Sequence, residues 1–150
     1  MNEVLLILHI LAAAAWLGGG LLSGFAAPRM AGNGSAASLG WARVSAEAGR
    51  KYFNPVGIVT VLTGIGLVLG SDRHEWSDTF VSIGLGVAIA TALIGALAHR
   101  PGSARIIAAL ESGDYEEAAA EGKKAAIWGA VTVALLIVAV VVMVLETGSS

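Results

Sequence analysis

The chain contains no cysteine among its 150 residues, which excludes disulfides, thiolate metal sites and cysteine nucleophiles. Charge is also scarce: 13% of residues are Asp, Glu, Lys or Arg, against about 25% in soluble domains. The net charge of −2 provides no basic surface for nucleic acid. No P-loop, HExxH or Ser/His/Asp arrangement is present, and Gly18-Gly19-Gly20 lies in an apolar run where it cradles no phosphate. What is abundant is apolar side chain, at 56% of the chain. That balance argues against a water-soluble globule and for a membrane protein.

Four apolar stretches follow, over about residues 4–27, 53–70, 79–98 and 126–145. Each approaches the ~20 residues a helix needs to cross a bilayer. The first reads as a span, not a signal peptide: Met-Asn-Glu before it has no Lys or Arg, and its apolar run is too long. The second opens at Asn54-Pro55 and the third stops before His99-Arg100-Pro101. Backbone polar groups in hydrocarbon must pair within their own segment, so the spans are helices. The predicted fold is all-α, a polytopic membrane four-helix bundle forming one domain over residues 1–150.

Arg29, Arg43, Arg50, Lys51, Arg100, Arg105, Lys123 and Lys124 all fall in the loops 28–52 and 99–125, while the 71–78 loop has only Arg73. The positive-inside rule makes loops 28–52 and 99–125 cytoplasmic and places both termini outside. The Ala/Gly/Val-rich composition suggests a bacterial inner membrane. Trp41, Tyr52, Phe53 and Trp128 fall near the inner interface, and Trp76 and Phe80 near the outer one, as amphipathic rings do.

The two basic loops read as amphipathic helices: 36–51 after Gly32-Asn33-Gly34-Ser35, then 103–110 and 115–124 split at Ser112-Gly113-Asp114. They would lie on anionic lipid or form a docking surface for another subunit. A faint repeat pairs Gly49-Arg50-Lys51 and Gly57 with Gly122-Lys123-Lys124 and Gly129. Small residues recur every fourth position, as in Ala15-Gly19-Ser23, Gly66-Gly70, Gly84-Ala88-Ala92-Ala96 and Ala126-Ala130-Ala134. Such stripes let helices approach closely, within one bundle or across a homodimer or larger membrane complex.

The spans hold no Asp, Glu, Lys or Arg, and their one ionisable residue is His9. An ionisable group at that depth is a functional candidate by default. Helical spacing puts Leu5, Ala12, Ala13, Trp16 and Gly20 on its face. Neutral imidazole ligates metals and haem. The ordinary alternative is a histidine hydrogen-bonded near the headgroups. For a second ligand, His74 and Met143 lie nearest in depth, whereas His99 is ~20 Å away along the normal. His74 in its polar turn reads equally as solvated, and Met143 as packing. Catalytic residues are left unassigned and the question of enzymatic activity open, and no all-protein metal site is expected.

The stretch Leu8-His9-Ile10-Leu11-Ala12-Ala13-Ala14-Ala15-Trp16-Leu17-Gly18-Gly19 resembles the first span of copper-resistance-D-like membrane proteins and the related membrane protoporphyrinogen oxidases. Asn54-Pro55-Val56-Gly57 through Leu62-Thr63-Gly64-Ile65 resembles their second span. Ser112-Gly113-Asp114-Tyr115 and the tail from Met143 resemble a neighbouring, uncharacterised integral-membrane family. The resemblance to the oxidases implies haem b on His9. Those relatives carry a Lys early in the third span, and Thr79–Ala98 has none, which argues against oxidase activity. Three readings result: an accessory, non-catalytic bundle; a haem b protein in redox or tetrapyrrole handling, with His9 as axial ligand and Trp16 lining the pocket; and metal or small-solute permeation. The third needs a polar pathway that the spans do not supply.

Overall fold

The structure, a computed structural model, describes residues 2–70, 76 and 78–147. All of its regular structure is helical: α1 (Asn2–Gly32), α2 (Ser35–Ala48), α3 (Asn54–Leu69), α4 (Thr79–Ile94), α5 (Arg100–Ser112) and α6 (Tyr115–Thr147). Four continuous helical rods are long and apolar enough to cross a membrane.

The rods are longer than the expected spans. The prolines at 55 and 101, read from sequence as boundaries, do not end a helix. Each follows a five-residue π-helical turn, Gly49–Phe53 and Gly95–His99, which joins α2 to α3 and α4 to α5. Proline cannot donate to the carbonyl four residues back, and its ring clashes there. Widening the preceding turn relieves the clash: Asn54 N–H bonds Gly49 O, and Arg100 N–H bonds Gly95 O, five residues back. The helical path therefore continues through each proline. Likewise α1 runs past the expected end at residue 27, through Pro28, to Gly32.

The expected amphipathic helices are thus not separate pieces lying along a surface. They are continuations of the rods, packed on one another. α2 packs on α5, and α5 packs on α6. α6 alone has 33 residues, or about 50 Å at ~1.5 Å per residue, against a hydrocarbon layer of ~30 Å. The expected pairing of 103–110 with 115–124, split at 112–114, does hold. Gly113 sits at φ 79°, a left-handed conformation that needs no Cβ, and Asp114 Oδ1 caps α6 by accepting from Glu117 N–H at 2.9 Å. Gly34, at φ 99°, turns α1 into α2. The faint repeat has no counterpart in local structure: residues 49–51 lie in a π turn, whereas 122–124 lie in uninterrupted α-helix.

The bundle is two hairpins side by side. α1 packs along α3, α4 packs along α6, and α1 against α6 joins the pairs, with only a slight α3–α4 contact. The joint is a small apolar core of Val87, Leu136 and Ala139, with Trp16, Leu17, Ile83 and Leu135 around it. Most large apolar side chains instead face outward, among them Ile7, Leu11, Leu22, Leu62, Ile89 and Val144. Apolar exposure on every rod is what a lipid-facing bundle requires and what a soluble monomer avoids.

Candidate functional site

The seam between α1 and α3 is built from large side chains on one helix set against glycines on the other. The two helices run antiparallel, so residue numbers rise on α1 as they fall on α3. A Cβ at Gly66 would stand 3.3 Å from Leu5 Cδ1, at Gly64 3.1 Å from His9 Cε1, and at Gly57 3.2 Å from Trp16 Cη2. At Gly19 the roles reverse, and a Cβ there would stand 2.8 Å from Tyr52 Cε1. Without a hydrophobic driving force in lipid, such close approach is what holds helices together.

His9 is fixed within this seam by hydrogen bonds. Its Nδ1 lies 2.9 Å from Thr60 O and 3.1 Å from Thr63 Oγ1. The Thr60 carbonyl can only accept, so Nδ1 carries the proton. Thr63 donates its own hydroxyl proton to Val59 O at 2.6 Å, leaving its oxygen to accept from Nδ1. In the neutral ring Nε2 then keeps its lone pair. Among the described residues no group hydrogen-bonds Nε2, and no side-chain nitrogen or oxygen is both fully enclosed and unpartnered.

Four other hydroxyls bond back to their own helix. Thr60 donates to Val56 O at 2.9 Å, Thr91 to Val87 O at 2.8 Å, Ser23 to Gly19 O at 2.8 Å, and Thr132 to Trp128 O at 2.9 Å. This is how a hydroxyl is tolerated where water is absent. Tyr52 is different: its hydroxyl crosses to α1 and donates to Ala15 O at 2.7 Å, closing the other end of the seam.

Three of the four site residues expected from sequence lie among the described residues. His9 and Trp16 share the α1–α3 seam, though Trp16 also reaches the joint between hairpins. Met143 belongs to the other hairpin, where its Cε lies 2.8 Å from the Cβ position of Gly84 on α4. Its methyl occupies a glycine notch. His74 lies outside the described residues. No cluster of three or more His, Cys, Asp or Glu that could hold a metal ion occurs among the described residues. For haem, the donor set shown is one nitrogen, His9 Nε2, with the ring oriented from behind as a metal-ligating histidine usually is.

No family model, curated protein or solved structure matches the chain. Function must therefore be argued from this geometry.

A second polar assembly lies at the basic end of the molecule. Glu121, on α6, is held by Arg105 Nε at 2.7 Å and by Lys124 Nζ at 2.6 Å. The glutamate side chain is 8% exposed, while those of Arg105 and Lys124 are 51% and 65% exposed. Its cover is thus largely the two cations that lie across it. Hydrogen bonds from Lys124 and then Arg105 hold its carboxyl below the usual glutamate range. Arg43 on α2 pairs with Glu111 on α5 at 2.7 Å, tying the third helix of the layer into place. Sequence reading passed over Glu121 because its second partner, Arg105, lies sixteen residues away on another helix. Tyr52, Thr60 and Thr63 were missed as partners because spacing along one helix says nothing about the helix opposite.

Proposed function

We propose that the protein is an accessory integral-membrane bundle, contributing structure and a docking surface rather than turnover. The observation that carries this reading is the use made of polar groups in the rods. His9 Nδ1 and the Tyr52 hydroxyl bind α1 to α3, and the hydroxyls named above are spent on their own helices. In this reading the protein sits in a bacterial inner membrane with residues 28–52 and 99–125 cytoplasmic and both termini outside. Eight of the nine basic side chains lie at that end, which supports the orientation. The packed layer of α2, α5 and the start of α6 then projects beyond the hydrocarbon, with Val44 and Tyr115 each 58% exposed. Its partner is another membrane subunit, or a second copy. A photo-crosslinker at Val44 is expected to give a discrete protein adduct in native membranes that is absent from vesicles of pure lipid. Lipid adducts alone in both settings would overturn the reading.

A second reading is favoured by one observation, the fixed tautomer of His9. With Nδ1–H given to Thr60 O, Nε2 is free to act as an axial ligand to haem b, as the resemblance to membrane protoporphyrinogen oxidases implies. Bound there, haem would supply one-electron chemistry. The chain's part would be to hold the ring rigid and to keep Trp16 seated one seam position deeper. Purified in mild detergent, air-oxidised and then reduced, the protein would show a Soret band that moves on reduction and disappears in His9→Ala. A flat spectrum after haem is added back excludes this reading and leaves the first.

A further inference from the structure

A half-open groove of about 390 Å³ runs between the α4–α5 rod and α6 at the basic end. That volume is within the range of small-molecule sites, ~300–1,000 Å³. Its two ends differ in chemistry. Leu93, Leu97 and Trp128 line one end, and Arg105, Lys124 and the Glu121 carboxylate behind them line the other. The apolar walls are open to the outside: Leu93 is 54%, Leu97 74% and Trp128 44% exposed.

We propose that this groove binds one anionic glycerophospholipid. Its phosphate lies against Arg105 and Lys124, and its acyl chain runs along Leu93, Leu97 and Trp128. The charge arithmetic favours an anion. Glu121 cancels one of the two cations, and the pair keeps one net positive charge. The geometry favours it too. Glu121 takes Arg105 through Nε, and among the described residues neither Nη group of the guanidinium has another partner; it takes one of three N–H groups of Lys124. The carboxylate holds both long side chains at the groove's rim, so little side-chain freedom is lost when a phosphate arrives. From Leu93 to Arg105 is twelve residues along a nearly continuous rod, or about 18 Å at ~1.5 Å per residue. That length spans a headgroup and the first part of a chain. Trp128 sits where the two regions meet, the depth that amphipathic rings prefer. The π turn at Gly95–His99 shapes this wall, since Leu97 and its neighbour Ala98 both belong to it. The site rests on the membrane insertion proposed above.

The test uses the full chain in phosphatidylcholine bilayers that contain a minor fraction of brominated lipid, either phosphatidylglycerol or phosphatidylcholine. Bromine quenches tryptophan on contact, and comparison with Trp128→Phe isolates the Trp128 contribution. The expected result is quenching of Trp128 about fivefold stronger by the brominated phosphatidylglycerol at equal mole fraction, the preference one net positive charge gives near a surface. Arg105→Gln/Lys124→Gln removes the excess. Because that variant also strips Glu121 of its partners, 1 M NaCl on the unsubstituted chain supplies a second reading, and it too is expected to remove the excess. Equal quenching by the two lipids overturns the site while leaving insertion intact. Absence of quenching by either lipid overturns the insertion itself, and the site with it.

Discussion

Gly57→Leu is expected to destabilise the bundle by about 1–3 kcal/mol, the usual cost of overpacking a fitted contact. The reason is that Trp16 has nowhere to go. The outer edge of its ring meets Gly57, where even a Cβ would stand 3.2 Å from Cη2, and the ring also packs against the cluster of Val87, Leu136 and Ala139. A side chain at 57 must therefore push α1 off α3 or push α1 into α6. Gly18→Leu is the control. No atom lies within 4 Å of a Cβ at Gly18, so that change should stay within about 0.5 kcal/mol, as surface changes do. Both substitutions gain the same helix propensity, so the difference between them reports the seam. Helix content followed through a denaturing-detergent titration measures it. If the two variants unfold together, the glycine recess is not what holds α1 to α3.

The face of α1 was legible in the sequence, because His9 and Trp16 lie two turns apart on an unbroken apolar run. What they pack against was not. Periodicity describes one helix at a time, so Gly64 and Gly66 read only as small residues free to pack anywhere, and Gly57 only as part of a faint repeat. The same limit explains Met143. Its depth made it a ligand candidate beside His9, but depth does not say which seam a side chain enters, and Gly84 draws it into the other hairpin.

The rods were misread for a different reason. Proline forbids a bond to the residue four back, and in most contexts that ends a helix. Here the residue before each proline bonds five back instead, a solution that single-residue propensities do not encode. The consequence is mechanical. Two rods that looked like span plus loosely attached surface helix are single levers, so a force on the α2–α5 layer reaches the rods through the π turns.

Charge reversal at Glu121 is the expected way to separate that layer. Glu121→Lys would set three cations together where one carboxylate now bridges α5 and α6. α5 should leave α6, unfolding the already exposed turn at Gly113 so that it is cut by a protease that spares the unsubstituted protein. Glu47→Lys is the informative contrast. Glu47 pairs with Lys51 at 2.6 Å four residues along its own rod, so that pair bridges no helices and its loss should leave the turn protected. The same carboxylate gives the layer a dependence on pH with a definite sign. Its folded pKa is held below the unfolded value, chiefly by the hydrogen bond from Lys124 and then by that from Arg105. A depressed carboxylate contributes stability that is complete above the ordinary glutamate range and is lost as pH falls through it toward the folded value. The Gly113 turn should accordingly become cleavable by an acid-active protease as pH falls below that range. In Glu121→Gln, which keeps the shape but has no proton to gain, that acid step should disappear. A step of equal size in Glu121→Gln would assign the acid sensitivity to another carboxylate and remove Glu121 from its place as the clasp between α5 and α6.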